Sequence, residues 1–192
     1  VTTGTGQTQS DSLPFCPDAD GDGISDLPAG FIVAGTGVAI PRPPDHDEIV
    51  QRICPDVPDP EIGHNPHQWG VTGVETWLWD ATDPQPRSSG PGLDIRGYPV
   101  SCVLTPQTWT FDVGEPTAEQ YGHQRQYTVR EAGSESETTP VRHMWSTKGT
   151  YDVTLDVTWY RDTNYGDDWP VTETTRAYEV REIVIGNVPN PS

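Results

Sequence analysis

The stretch "TYDVTLDVTWYRD", Thr150 to Asp162, alternates without a break. Tyr151, Val153, Leu155, Val157 and Trp159 fall on one side, while Asp152, Thr154, Asp156, Thr158 and Tyr160 fall on the other. Successive side chains of a strand point to opposite faces, so this pattern specifies a strand with one buried and one wet face. Downstream, "TNYGDDWP" reads as a turn and "VTETTRAYEVREIVIG" as the return strand. Upstream, "GVETWLWD", "YPVSCVLTP", "TWTFDVG" and "RQYTVR" read as shorter strands, with a break at Thr105–Gln107 between the second and third. Short alternating strands joined by Gly/Pro turns predict an all-β fold, an antiparallel β-sandwich.

Composition supports this reading. Hydrophobic residues make up 32% of the 192, and Pro (20) and Gly (19) are abundant, which favours loops and strands over helices. The seven Trp and seven Tyr all lie from Trp69 onward, so the core is expected there. The balance of 11 basic against 29 acidic residues gives a net charge of −18. Such a field disfavours nucleic acid and anionic lipid, whose binding relies on Lys and Arg, and favours divalent cations. No run of 18 apolar residues occurs, so no transmembrane helix is expected.

The front of the chain has a different texture. "VTTGTGQTQSDSLP" is polar and small, with no period, and "GFIVAGTGVAIP" reads as one or two short strands bent at Gly35 or Gly37. In "PPDHDEIVQRIC", Asp45 or Asp47 is placed to cap a short helical turn carrying Ile49, Val50 and Ile53. Residues 55–68 carry four prolines and read as an extended linker or wrapped arm. The expected organisation is an extended, Pro-rich N-terminal arm over 1–68, a sandwich over 69–186 and a short tail over 187–192. Of the three cysteines, Cys102 lies on the face shared by Val100 and Leu104 and is expected as a buried strand thiol. Cys16 and Cys54, both in "CPD" contexts, are expected to form a disulfide, with other pairings open. Closing that long loop is worth about 4 kcal/mol in the chain-entropy account, a useful staple for an arm with little apolar surface.

A family resemblance enters at two motifs. "TWTFDVGE", Thr108 to Glu115, resembles the W-x-F-G-D-G turn of PKD domains, although "FDVGE" stands where the family has "FGDG". "HMWSTKGTYDVTLDV", His143 to Val157, resembles the PKD ending, with Trp145 where Tyr is usual. The resemblance implies an Ig-like, PKD-like sandwich with His143 in a structural role. More broadly, "RICPD", "VTGVETWLWD" and the ending "YEVREIVIG" resemble a group of secreted actinobacterial proteins, which implies an extracellular or cell-surface location.

The strongest site signal is "CPDADGDGISD", Cys16 to Asp26. Asp18, Asp20, Asp22 and Asp26 occupy positions 1, 3, 5 and 9 of a calcium loop, Gly23 allows the sharp turn, and the Ile24 carbonyl is the backbone ligand. The segment also resembles a thrombospondin type 3 calcium repeat. Position 12 is Ala29, so a further donor must come from water or from Asp11, Asp45 or Asp47. Hard oxygen ligands without His or Cys suit Ca2+, in a structural role. "HNPH", with His64 and His67, is a weaker zinc pattern. No G-x-S-x-G motif occurs, and the serines cluster outside the strand patterns, so no catalytic residue is assigned.

Seven Trp are too many for one small core. Trp77 and Trp79 share a face that is either core or an outward aromatic strip. Trp169, in "YGDDWPV", sits on a loop near Tyr165, and these two are the candidate contact aromatics. The sequence therefore predicts a non-enzymatic, secreted or surface β-sandwich acting by protein–protein contact, as a subunit or adaptor of an extracellular assembly or as an adhesin. The alternative is a carbohydrate-binding accessory module.

Overall fold

The computed structural model describes residues 31–33, 39–136 and 138–183. The described residues divide into two units, one of 31–33, 39–44 and 95–98 and one of 45–94, 99–136 and 138–183. In the first, strands β1 (Phe31–Val33) and β2 (Ala39–Pro41) pair antiparallel, with Phe31 opposite Pro41. Tyr98 donates its hydroxyl to the Pro41 carbonyl at 2.6 Å, and Arg96 Nε donates to the Arg42 carbonyl at 3.1 Å.

The second unit opens with the short helix α1 (His46–Arg52). Asp45 caps it from an extended backbone, its carboxylate accepting the Glu48 N–H at 2.9 Å. Asp47 and Glu48 in the first turn and Arg52 in the last complement the helix dipole, and Ile49 is the buried anchor.

The further strands are β3 (Ile62–Asn65), β4 (Gly70–Val71), β5 (Glu75–Asp80), β6 (Arg87–Ser88), β7 (Leu93–Ile95), β8 (Tyr98–Val100), β9 (Cys102–Asp112), β10 (Gln126–Val129), β11 (Val141–Met144), β12 (Gly149–Thr163), β13 (Gly166–Asp168) and β14 (Val171–Arg181). The large sheet runs β10-β9-β12-β14-β4, with β6 on β9 and β13 on β12. A three-stranded sheet, β11-β5-β3, covers its inner face, and β7 pairs β8 separately. Among the described residues every pairing in these two sheets is antiparallel except β14–β4, where Val180 lies beside Gly70. The chain crosses from the small sheet to the large one between β3 and β4, through a cis Asn65–Pro66 bond.

The core fills the space between the sheets. β12 contributes Tyr151, Val153, Leu155, Val157 and Trp159, all buried, as the alternation predicts. Leu104, Trp109 and Phe111 come from β9, and Ile62, Leu78 and Val141 from the small sheet. Two indole N–H groups are satisfied inside. Trp109 donates to Asp80 Oδ2 at 3.1 Å, joining the sheets, and Trp145 donates to Thr76 Oγ1 at 3.1 Å. Trp77 and Trp79 point to the outer side of β5, because Thr76, Leu78 and Asp80 take the inner one. Trp79 is nevertheless covered: its ring lies over Gly63 of β3, where a Cβ would come within 2.2 Å.

Three expectations are corrected. The break at Thr105–Gln107 is a bulge inside one long strand: Thr158 faces Thr108, Trp159 faces Pro106, and Gln107 is the extra residue. A bulge is where a sheet tolerates the missing N–H of a proline. The boundary at 68/69 falls elsewhere, since α1 and β3 belong to the second unit and β3 pairs residue by residue with β5. The disulfide joins Cys54 to Cys102, not to Cys16, with an S–S distance of 2.03 Å and Cα atoms 5.2 Å apart. Cys102 is inward-facing and buried as expected, but it faces Cys54, just past the end of α1, and so is bridged instead of remaining a thiol. Cys16 lies outside the described residues.

Candidate functional site

Two polar constellations and one aromatic surface stand out. The first is buried. Glu115, just beyond β9, and His143 of β11 are both fully buried, and His143 Nε2 lies 3.0 Å from Glu115 Oε2. The second carboxylate oxygen accepts the Ser146 N–H at 2.9 Å, and the Tyr127 hydroxyl of β10 lies 3.0 Å from His143 Nδ1. A neutral imidazole satisfies every contact, donating from Nε2 to Glu115 and accepting from Tyr127 at Nδ1. Burial holds the His143 pKa below its ordinary 6.5, against the opposing pull of Glu115. Burial, with the Glu115 charge second, pushes Tyr127 above its ordinary 10.0. The chain Tyr127–His143–Glu115 has the order of a catalytic relay. Neither His143 nor Glu115 is reached by solvent, however, and both imidazole nitrogens are occupied. What the arrangement does is tie β10, β11 and the segment after β9 together.

The second constellation anchors the β12–β13 hairpin. Arg161 Nε donates to Asp168 Oδ1 at 2.7 Å and Nη2 donates to Oδ2, a two-point pair. The Arg161 hydrogen bond holds the Asp168 carboxyl below its usual range. From α1, His46 Nδ1 meets Thr163 Oγ1 at 3.1 Å, and its Nε2 lies 3.4 Å from Asp168 Oδ1 without hydrogen-bond alignment. Thr163 Oγ1 in turn donates to the Gly166 carbonyl at 2.8 Å.

This anchoring fixes the residue that follows. Trp169 comes directly after Asp168, and the Pro170 carbonyl accepts the Trp159 N–H at 2.9 Å, so the backbone is held on both sides of Trp169. Its side chain is nevertheless 56% exposed. It packs on Tyr160, ring centroids 4.8 Å apart and tilted by 44°. Tyr160 is on the outward side of β12, since Trp159 is buried. Val171, paired with Thr158 and 58% exposed, extends the same outward surface. The three form an apolar patch on a rigid sheet.

Of the two aromatics singled out in the sequence, Trp169 is in this patch. Tyr165 is half-buried at the hairpin turn, its N–H given to Thr163 Oγ1, and it is not the ring partner of Trp169. Tyr160 was the missed partner. The signal was present, because Tyr160 is on the wet side of the alternation, but nothing in the sequence says that Trp169 folds back over it.

The calcium-loop residues Asp18, Asp20, Asp22, Ile24 and Asp26 lie outside the described residues. Among the described residues no group of three or more His, Cys, Asp and Glu is placed to hold a metal ion. His64 and His67 diverge. His64 is buried, its Nδ1 2.8 Å from the Pro66 carbonyl and its ring against Tyr178, and burial lowers its pKa. His67 is exposed and pairs with Glu135 at 2.8 Å. No helix among the described residues is long and apolar enough to cross a membrane.

The chain matches no protein-family model, no curated protein and no solved structure.

Proposed function

We propose that this is a non-enzymatic β-sandwich of the cell exterior that acts by protein–protein contact, as a subunit or adaptor of a surface assembly or as an adhesin. The observation that carries the reading is Trp169: a large aromatic side chain left mostly in water on a backbone fixed by the Arg161–Asp168 pair and the Pro170 carbonyl. Exposed Trp and Tyr on a rigid support are the usual anchors of protein interfaces, because little conformational freedom is lost on contact. The Cys54–Cys102 bridge supports an oxidising location, where disulfides persist. The sealed state of the His143–Glu115 pair supports a role without catalysis. An Ig-like, PKD-like ancestry is favoured by the sheet order and by the parallel pairing of β4 with β14 after a change of sheet. On this reading the segment Asp18 to Asp26 binds a structural Ca2+.

The test places a photoreactive benzophenone residue at Val171 of the full chain and irradiates it on the surface of the producing cell. The expected product is a covalent protein adduct that disappears when Trp169→Ala is added. Absence of any adduct, or an adduct indifferent to Trp169, defeats the proposal. A carbohydrate-binding role is the second reading, favoured by the Trp169–Tyr160 platform, on which a sugar ring can stack. A glycan array probed with the wild type and with Trp169→Ala separates the two.

A further inference from the structure

On the outward face of the large sheet, acidic residues stand directly opposite one another. Asp156 of β12 is paired with Glu173 of β14, and Asp162 of β12 with Asp167 of β13. Like charges opposite each other across two strands are destabilising. No Lys, Arg or His among the described residues forms an ion pair with any of the four. One oxygen of Asp156, Oδ1, is buried and has no hydrogen-bond partner. Between the two acidic pairs lie two rows of the apolar patch: Thr158 with Val171, then Tyr160 with Trp169.

The order along β12 is therefore carboxylates at 156, Thr158 beside the apolar Val171, aromatic at 160, carboxylates at 162, all on one face. Same-face residues two apart are separated by roughly 6.8 Å, so the two acidic pairs are roughly 20 Å apart. The charges disfavour a second copy of this chain, which carries the same acidic face and a net charge of −18. We infer that the occupant is an extended segment of a basic partner protein, lying along β12, with Arg or Lys at its first and seventh positions and apolar side chains at its third and fifth. The guanidinium groups meet the two carboxylate pairs, which hold Arg in a two-point geometry, while the apolar residues cover Val171 and the Trp169–Tyr160 rings. The inference rests on the contact reading above and adds the chemistry of the partner.

The probe is the peptide Ac-Arg-Thr-Leu-Thr-Leu-Thr-Arg-NH2, titrated into the full chain and followed by tryptophan fluorescence and NMR shifts at low salt. Two controls accompany it: the same peptide with Glu in place of Arg, and an isomer of identical composition with both Arg at one end. Saturable binding is expected for the first peptide alone, weakened roughly tenfold by Trp169→Ala and by Asp156→Asn/Glu173→Gln, and weakened again by 0.5 M NaCl. Equal binding of the Glu peptide or of the isomer overturns the inference, as does no binding at all. The surface cross-link separates the two levels. If it needs Trp169 but survives Asp156→Asn/Glu173→Gln/Asp162→Asn/Asp167→Asn, the basic partner is wrong and the contact reading stands. If Trp169→Ala leaves both measurements unchanged, both readings fail.

Discussion

Removing the Glu115 carboxylate is the sharpest test of how the two sheets are tied together. Glu115→Ala strips partners from two buried donors, His143 Nε2 and the Ser146 N–H, which lie 3.0 and 2.9 Å from its two oxygens. A buried donor left unpaired costs about 1–3 kcal/mol, so the pair together costs about 2–6 kcal/mol. For a domain of this size each kcal/mol moves the melting temperature by roughly 2–4 °C, so a drop of roughly 4–24 °C is expected by calorimetry. Tyr127→Phe, which leaves only His143 Nδ1 unpaired, should cost about 1–3 kcal/mol. A double-mutant cycle between Glu115→Ala and Tyr127→Phe should show coupling, because both act on one imidazole. The groups facing His143 are Glu115, Tyr127 and His123. Because burial depresses the folded-state pKa of His143, the unfolded chain binds more protons between that value and 6.5. Stability is then full above pH 6.5 and falls as pH drops below it, and His64 contributes with the same sign. If Glu115→Ala melts within 2 °C of the wild type, roughly the least that 1 kcal/mol produces, or if stability rises on acidification from pH 7 to 5, the reasoning is wrong.

Four further outcomes are expected. Cys54→Ser/Cys102→Ser opens a loop with a sequence separation of 48 and should cost about 4 kcal/mol in urea titration, the chain-entropy value for that length. Gly114→Ala combines a positive φ of 69° with a Cβ 2.4 Å from the Asp152 carbonyl oxygen, so its expression or melting temperature should fall more than that of Gly90→Ala, which has open space. Leu155→Ala, deleting a fully buried side chain from the middle of β12, should cost about 2–5 kcal/mol by denaturant unfolding. Calcium titration by calorimetry should show one site with Kd about 10⁻⁴–10⁻³ M, abolished by Asp20→Asn/Asp22→Asn; no heat with the wild type rejects the calcium loop.

The alternation from Tyr151 to Trp159 by itself determined the central strand, its inward face and the sandwich class, because period-two patterning is a local property of the chain. A short helical turn capped by Asp45 or Asp47 was legible for the same reason, since capping acts over three residues, and the structure uses Asp45. What the tertiary structure decided involves partners far apart in sequence. Cys54 pairs with Cys102 because the fold brings them to one place, and spacing alone could not choose among the pairings of three cysteines. Trp169 lies over Tyr160, and Asp156 stands against Glu173, because strand register sets which residues of β12 face which residues of the segments after it. His143 and Glu115 meet across 28 residues inside a core whose low polarity turns two ordinary side chains into a buried pair. Local periodicity writes the elements into the sequence. Register, burial and the meeting of distant side chains appear only when those elements pack.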